Sequence, residues 1–240
     1  MENSIREVAE ETLASIGVFK ELSSDSVFGG GQPIIADEYL KMAGPGKRIS
    51  QFHKQETIFV EGELAGSVYY VQRGWVQLSA SSRTGKSATV ALHNRGDFVG
   101  QGCLAISQPP RLTTAIAFSS CTLLRIERRE MLRALKQEPS LAGVFLSFLI
   151  NRCTVLQAGL VDHVFNSSEK RLARILLLLG LDHPEGETIP YVTHETLAEM
   201  VGTTRSRISF FMNRFRKCGY VEYAGSLKVH RAIVDVLLND

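Results

Sequence analysis

The sequence predicts an α+β chain. It has an N-terminal double-stranded β-helix or jelly roll, then a long helix, then a C-terminal winged helix-turn-helix. Three observations predict this. Gly62, Gly74, Gly85 and Gly96 recur at steps of 12, 11 and 11 residues, each closing an apolar or alternating run, as expected where short strands turn. Pro139 opens a helical segment that reaches Phe165. Val192 to Lys217 reads as two short amphipathic helices around one glycine.

Residues 1–43 form an extension, with a helical pattern from Ile5 to Lys20 followed by the turn-rich SSDSVFGGGQP. The roll occupies residues 44–138. Its strands are expected in TIFVEG, SVYYVQRGWVQLSAS, SATVALHNRGDFVG and RLTTAIAFSSCTLLRI, all rich in β-branched and aromatic residues. Arg129 to Gln137 reads as a short helix closing it.

Residues 139–166 carry the long helix. Leu146, Leu149, Cys153, Leu156, Leu160 and His163 follow a 3-4-3-4-3 spacing, the seam of a coiled coil, and a seam implies a partner helix. Phe145, Phe148 and Val155 lie off the seam and are expected to cover the roll. Asn166, with Glu169 three residues on, resembles a capping box that starts a helix from Ser167 to Leu181, leaving Phe165 to Ser168 as a hinge. In residues 167–240, Thr193 can cap a helix bearing Leu197, Ala198 and Val201, and Gly202 permits the sharp turn. Thr203 or Thr204 caps a second helix, whose stripe Ile208, Phe211, Met212 and Phe215 faces inward. Arg205, Ser206, Ser209, Phe210 and Asn213 then share the other face. GYVEY and LKVHR flank Ala224-Gly225-Ser226 as a hairpin, the wing, and Ala232 to Leu238 forms a last short helix.

Charge sharpens the reading. The whole chain is only +2, yet between Glu199 and Glu222 stand five basic residues, Arg205, Arg207, Arg214, Arg216 and Lys217, with no acid among them. Concentrated there, the charge suits a phosphate backbone. Arg205, early on the exposed face, is placed to fork onto guanine O6 and N7. Ser206, Ser209 and Asn213 share that face, Phe210 is placed to touch a thymine methyl or to shield the helix, and Thr204, Arg207 and Arg214 are assigned to phosphates.

Other classes find little support. Cys103, Cys121, Cys153 and Cys218 lie far apart, without zinc or iron–sulfur spacing, and suit a reduced cytoplasm. The six histidines show no H-x-H or H-x-x-x-H pattern, so no metal is expected. The longest apolar stretches, Gly143 to Ile150 and Ile175 to Leu181, are short for a bilayer, so a soluble chain with no membrane partner is expected. A cupin-like enzyme would place a close histidine pair and a carboxylate on the roll, and no Ser-His-Asp, P-loop or G-x-G-x-x-G pattern occurs. A nucleotide-sensing module acting on a protein partner is the alternative left open.

GDFVG, RLTTAIAFSSCTLLRI, FNSSEKRLARILLLL and ETLAEMVGTTRSRISFFMNRFRKCGYVEY, in this order and over residues 44–240, resemble the Crp/Fnr family of bacterial transcription regulators. The resemblance implies a cyclic-nucleotide-binding-type roll, a homodimer through the long helix, a near-palindromic double-stranded DNA site, contact with RNA polymerase and a cytoplasmic location. It also implies an effector site around Gly100, Gln101, Arg111, Leu112, Thr113, Leu156 and Gln157. Family members that bind cyclic AMP place Glu where Gln101 stands, Arg-Ser-Ala where Arg111-Leu112-Thr113 stands, and a polar pair where Leu156 and Gln157 stand. The contacts for cyclic AMP are therefore largely not retained, no cofactor is called for, and another small effector, or none, is expected ahead of cyclic AMP. The oxygen-sensing branch needs an N-terminal cysteine cluster, and residues 1–102 contain no cysteine.

Overall fold

The computed structural model describes residues 38–82, 87–107, 109–181, 192–223 and 227–238. The expected helix from Ile5 to Lys20, Gly85 and the wing tip at Ala224-Gly225-Ser226 lie outside them. The chain divides into two compact units between Cys153 and Thr154. Each unit is built around its own core.

In the first unit, residues 38–41 form a helical turn. Eight strands follow: β1 (Lys47–Phe52), β2 (Thr57–Phe59), β3 (Ser67–Arg73), β4 (Val76–Ser81), β5 (Ser87–His93), β6 (Phe98–Val99), β7 (Thr114–Ala117) and β8 (Cys121–Glu127). They pair antiparallel in two sheets, ordered β1-β8-β3-β6 and β2-β7-β4-β5. The glycine rhythm is real: Gly62, Gly74 and Gly96 have φ of 88°, 83° and 97°. At Gly74 a Cβ would lie 2.3 Å from the Ser120 carbonyl oxygen, so no other residue fits that turn.

Strand β3 shows why the roll holds together. Val68 and Tyr70 face a core that includes Phe98, Leu124, Ile126, Met131, Leu141 and Phe145, whereas Tyr69 and Val71 face another with Phe59, Val76, Val99 and Leu123. Successive side chains of a strand point to opposite faces, so a strand buried on both sides is apolar throughout. The first core is closed by helices α1 (Arg128–Gln137) and α2 (Pro139–Phe165). Phe98 sits 5.0 Å from the Phe145 ring and 5.3 Å from that of Phe148, fastening α2 to the roll. Val155, expected to join them, is exposed and belongs to the second unit.

The second unit holds α3 (Ser168–Leu181), α4 (His194–Val201), α5 (Arg205–Lys217), the hairpin β9 (Val221–Tyr223) and β10 (Leu227–Val229), and α6 (Val234–Leu238). Its core gathers Leu172, Leu176, Leu197, Val201, Ile208, Met212, Phe215 and Val221. The cap of α3 differs from the expected one. Ser167 Oγ accepts from the Lys170 amide, while the Asn166 side chain turns back and donates to Asp162 at 2.6 Å. Asp162 takes the Asn166 amide because it is buried and also pairs with Arg174 of α3 at 3.0 Å. The hinge residues are thus tied down. Arg171 adds bonds to the Asn166 and Val201 carbonyls.

Taken whole, α2 is long and apolar enough, by length and composition, to cross a membrane, contrary to the expectation drawn from its shorter apolar runs. Beyond Gly143 to Ile150 the helix carries a further apolar surface, with Val155, Leu156, Leu160, Val161, Val164 and Phe165. Much of that face is open: Leu156 is 55% exposed, Leu160 67% and Phe165 79%.

Candidate nucleic-acid interface

Two caps and one glycine build the reader. Thr193 accepts from the Thr196 amide at the start of α4, and Thr204 from the Arg207 amide at the start of α5. Between them Gly202 sits at φ 71°, ψ 46°, the left-handed conformation that ends α4 sharply. Ile208, Phe211, Met212 and Phe215 are all buried, as their spacing required. This clamps α5 by one face and turns Arg205, Ser206, Arg207 and Asn213 outward, all exposed.

The electrostatics of α5 are costly for a helix and useful for a DNA reader. Its first turn has no acid, and Arg205 and Arg207 stand at the positive end of the helix dipole. Like charges there destabilise the helix by tenths of a kcal/mol but deepen the positive potential that attracts phosphate. The opposite end, with Arg214, Arg216 and Lys217, obeys the dipole.

Four predicted site residues are engaged within the protein. Ser209 is half-buried and shares a 3.0 Å hydrogen bond with His194 Nδ1 of α4. Arg214 pairs with Glu169 of α3 at 3.0 Å, so its guanidinium is partly neutralised before any phosphate arrives. The Thr204 hydroxyl is taken up by the cap and by Ser206 at 3.0 Å. Phe210 is 65% exposed, with its ring against Phe211, an open aromatic on the reading face. Sequence reasoning missed His194, Asp162, Arg171 and Arg174, and gave Glu169 a capping role in place of its pairing with Arg214. Only the cap position Ser167, beside Asn166, carried a local sign of this network.

The predicted effector residues fall in both units. In the roll, Gly100 adopts φ 78° at the start of a single helical turn, Gln101–Leu104. Arg111, 7% exposed, donates to the Gly100 carbonyl at 2.9 Å and the Ser67 carbonyl at 2.7 Å, and its guanidinium carbon lies 4.1 Å over the Phe59 ring. A Cβ on Gly100 would meet this guanidinium at 2.3 Å, which accounts for the glycine. Burial lowers the Arg111 pKa, and among the described residues no carboxylate forms an ion pair with it. Leu112 points to solvent, and Thr113 is half-buried. Leu156 and Gln157 belong to the second unit and are exposed. Of the seam residues, Leu146, Cys153, Leu156, Leu160 and His163 are exposed, whereas Leu149 is partly drawn into the roll's core. The His163 ring stands 3.5 Å from where a Gly202 Cβ would be.

Roll and reader together define a DNA-binding protein with a ligand-binding type of domain joined to it. Comparison with known proteins agrees. Residues 49–138 match the cyclic nucleotide-binding domain and residues 170–233 the Crp-like helix-turn-helix domain. The global nitrogen regulator of Synechococcus elongatus is 31% identical over 183 residues, 72% of this chain and 82% of that protein. The cAMP-activated global transcriptional regulator CRP of Salmonella typhimurium is 24% identical over 165 residues, 67% of this chain and 78% of that protein. The solved structure of FixK2 from Bradyrhizobium japonicum shares the fold, with a TM-score of 0.69 at 18% identity over 80% of this chain and 96% of that one. The chain belongs to the Crp/Fnr family of DNA-binding transcription regulators.

Proposed function

We propose that the chain works as a homodimer that binds a near-palindromic operator and answers to a small anionic effector other than cyclic AMP. In this reading the roll is residues 44–138, the dimer helix 139–166 and the reader 167–240. The observation that carries it is α5: four apolar side chains lock it to the domain while Arg205, Ser206, Phe210 and Asn213 stand open on the other side. Arg205 reads a guanine, Phe210 lies against a thymine methyl, Asn213 shares the reading, and Arg207 sits on phosphate.

The exposed stripe of α2 supports pairing. Its cover is a second copy of the same helix rather than lipid, since Arg152 and Asp162 interrupt the helix and Asp162 is already bound to Arg174. Two readers about one duplex turn apart, roughly 34 Å, then meet two half-sites. RNA polymerase is the partner that control of transcription requires, and the cytoplasm, where the chromosome lies, is the place of action.

Arg111 supports an anionic effector. Its guanidinium is buried, bound to carbonyls and stacked on ring faces, and among the described residues no carboxylate lies within ion-pair distance of it, Glu63 being a more distant negative charge. Gln101 in place of a ribose-binding carboxylate and the outward Leu112 speak against cyclic AMP. Selection of bound sequences from random duplex DNA, with and without candidate anions, tests the reading. Recovery of an inverted repeat by a protein of twice the chain mass is the expected result; monomeric protein that retains all sequences alike would refute it.

A further inference from the structure

His194 opens α4, half-buried, with Nδ1 bound to Ser209 of α5. Ser209 lies four residues, about one helical turn, beyond Arg205, so the imidazole flanks the surface that meets DNA. In a helix-turn-helix the first helix crosses the sugar–phosphate backbone while the second enters the groove. His194 therefore stands where the two tasks meet. We propose that His194 is a proton-linked phosphate anchor, taking up a proton as DNA binds, so that the affinity of the protein for DNA rises as pH falls. This rests on the DNA-binding role of α5.

The groups around it define the direction. Burial, and after it the charge of Arg205 on α5, holds the pKa of His194 below the ordinary histidine value in the free protein. Arg207, also on α5, is exposed, as is Glu195 beside His194 on its own helix. On α3, Glu169 is bound to Arg214, Arg171 to backbone carbonyls and Arg174 to Asp162. A phosphate arriving beside the imidazole reverses the balance, since a negative charge within a few ångströms favours the charged form. By linkage, affinity is highest below the free-state pKa, falls as pH rises towards the bound-state pKa and is level above it. The total fall is about tenfold for each unit separating the two values.

The test is fluorescence anisotropy of the full chain on a duplex selected with the wild type, at pH 5.5 and pH 7.5. The variants are H194Q, which keeps a hydrogen-bonding group for Ser209 but cannot ionise, and H194K, which keeps the charge at both values. The wild type is expected to lose about tenfold more affinity across this interval than H194Q does. H194K at pH 7.5 should match the wild type at pH 5.5. Equal pH slopes for wild type and H194Q overturn the proposal while leaving DNA binding intact; failure to retain any duplex at either pH overturns the DNA reading itself. Should H194Q not fold, the His194 ring signal of the wild type, followed by NMR, must titrate at a higher pH with duplex than without it. An unmoved midpoint overturns the proposal.

Discussion

Replacing Arg205 with alanine is the sharpest probe of the interface. The side chain is exposed at the first position of α5, and among the described residues it has no ion-pair partner to lose. The substitution therefore removes the proposed DNA contact without leaving an orphaned charge inside the protein, and the cap at Thr204 survives. A bidentate contact to guanine contributes about 1–3 kcal/mol of discrimination. In a dimer the loss occurs twice, so about 2–6 kcal/mol, or roughly 30-fold to more than a thousandfold in Kd, is expected on the selected operator. Arg214→Ala is the internal comparison. Its guanidinium already pairs with Glu169, so its charge is partly answered within the protein, and its loss should cost less. Anisotropy on the selected and a scrambled duplex, across a salt series, gives both affinity and slope. Arg205→Ala should collapse the ratio between the two duplexes. Equal losses on both, with only a shallower salt slope, would refute base reading by Arg205 and make it a phosphate contact.

Asp162→Ala should destabilise the second unit by about 3 kcal/mol, the lower part of the range for breaking a buried ion pair, because Arg174 retains some solvent. Hydrogen exchange of α3 amides in the full chain would report it, and unchanged protection would show that the tie contributes nothing. Phe98→Ala removes a fully buried ring touching Tyr70, Phe145 and Phe148, and about 3–5 kcal/mol should be lost from the roll in urea denaturation. A loss below 1 kcal/mol would show that α2 is fastened elsewhere. Mild oxidation should link two chains through the exposed Cys153 of the seam, and Cys153→Ser should abolish the product on a non-reducing gel. Persistence of the product in that variant would place the contact between copies elsewhere. Burial pushes the Cys121 thiol up to about 11, so at pH 8 only about one thiol in a thousand is ionised and it should resist alkylation until the roll unfolds. As the folded value lies above the unfolded one, its contribution to stability is present at neutral pH and lost as pH rises through about 11.

The reader was legible because its information is local. A threonine three residues before an amide, a glycine in the left-handed region and apolar residues three and four apart act over a single turn of helix. The strands of the roll were legible for a similar reason: glycines at turns and β-branched runs between them. The two-sided burial of β3 is written in SVYYVQR as unbroken apolarity, although which core each residue faces is not.

Long-range partnership decided the rest. Asn166 and Ser167 are both good caps by composition, and Asp162, buried against Arg174 of another helix, drew Asn166 away. Arg214 and Glu169 are 45 positions apart, and nothing in either neighbourhood reveals the pair. Arg111 reads as part of an effector site, and only the fold shows the carbonyls, 11 and 44 residues away, that hold its guanidinium in place. By itself, then, the sequence determined the helices, the turns and the face on which positive charge collects, since propensity and periodicity act between near neighbours. Only the tertiary structure decided which of those charges remain available to a ligand. A buried or half-buried polar group must find a partner, and that partner is chosen by whatever the folded chain brings alongside it.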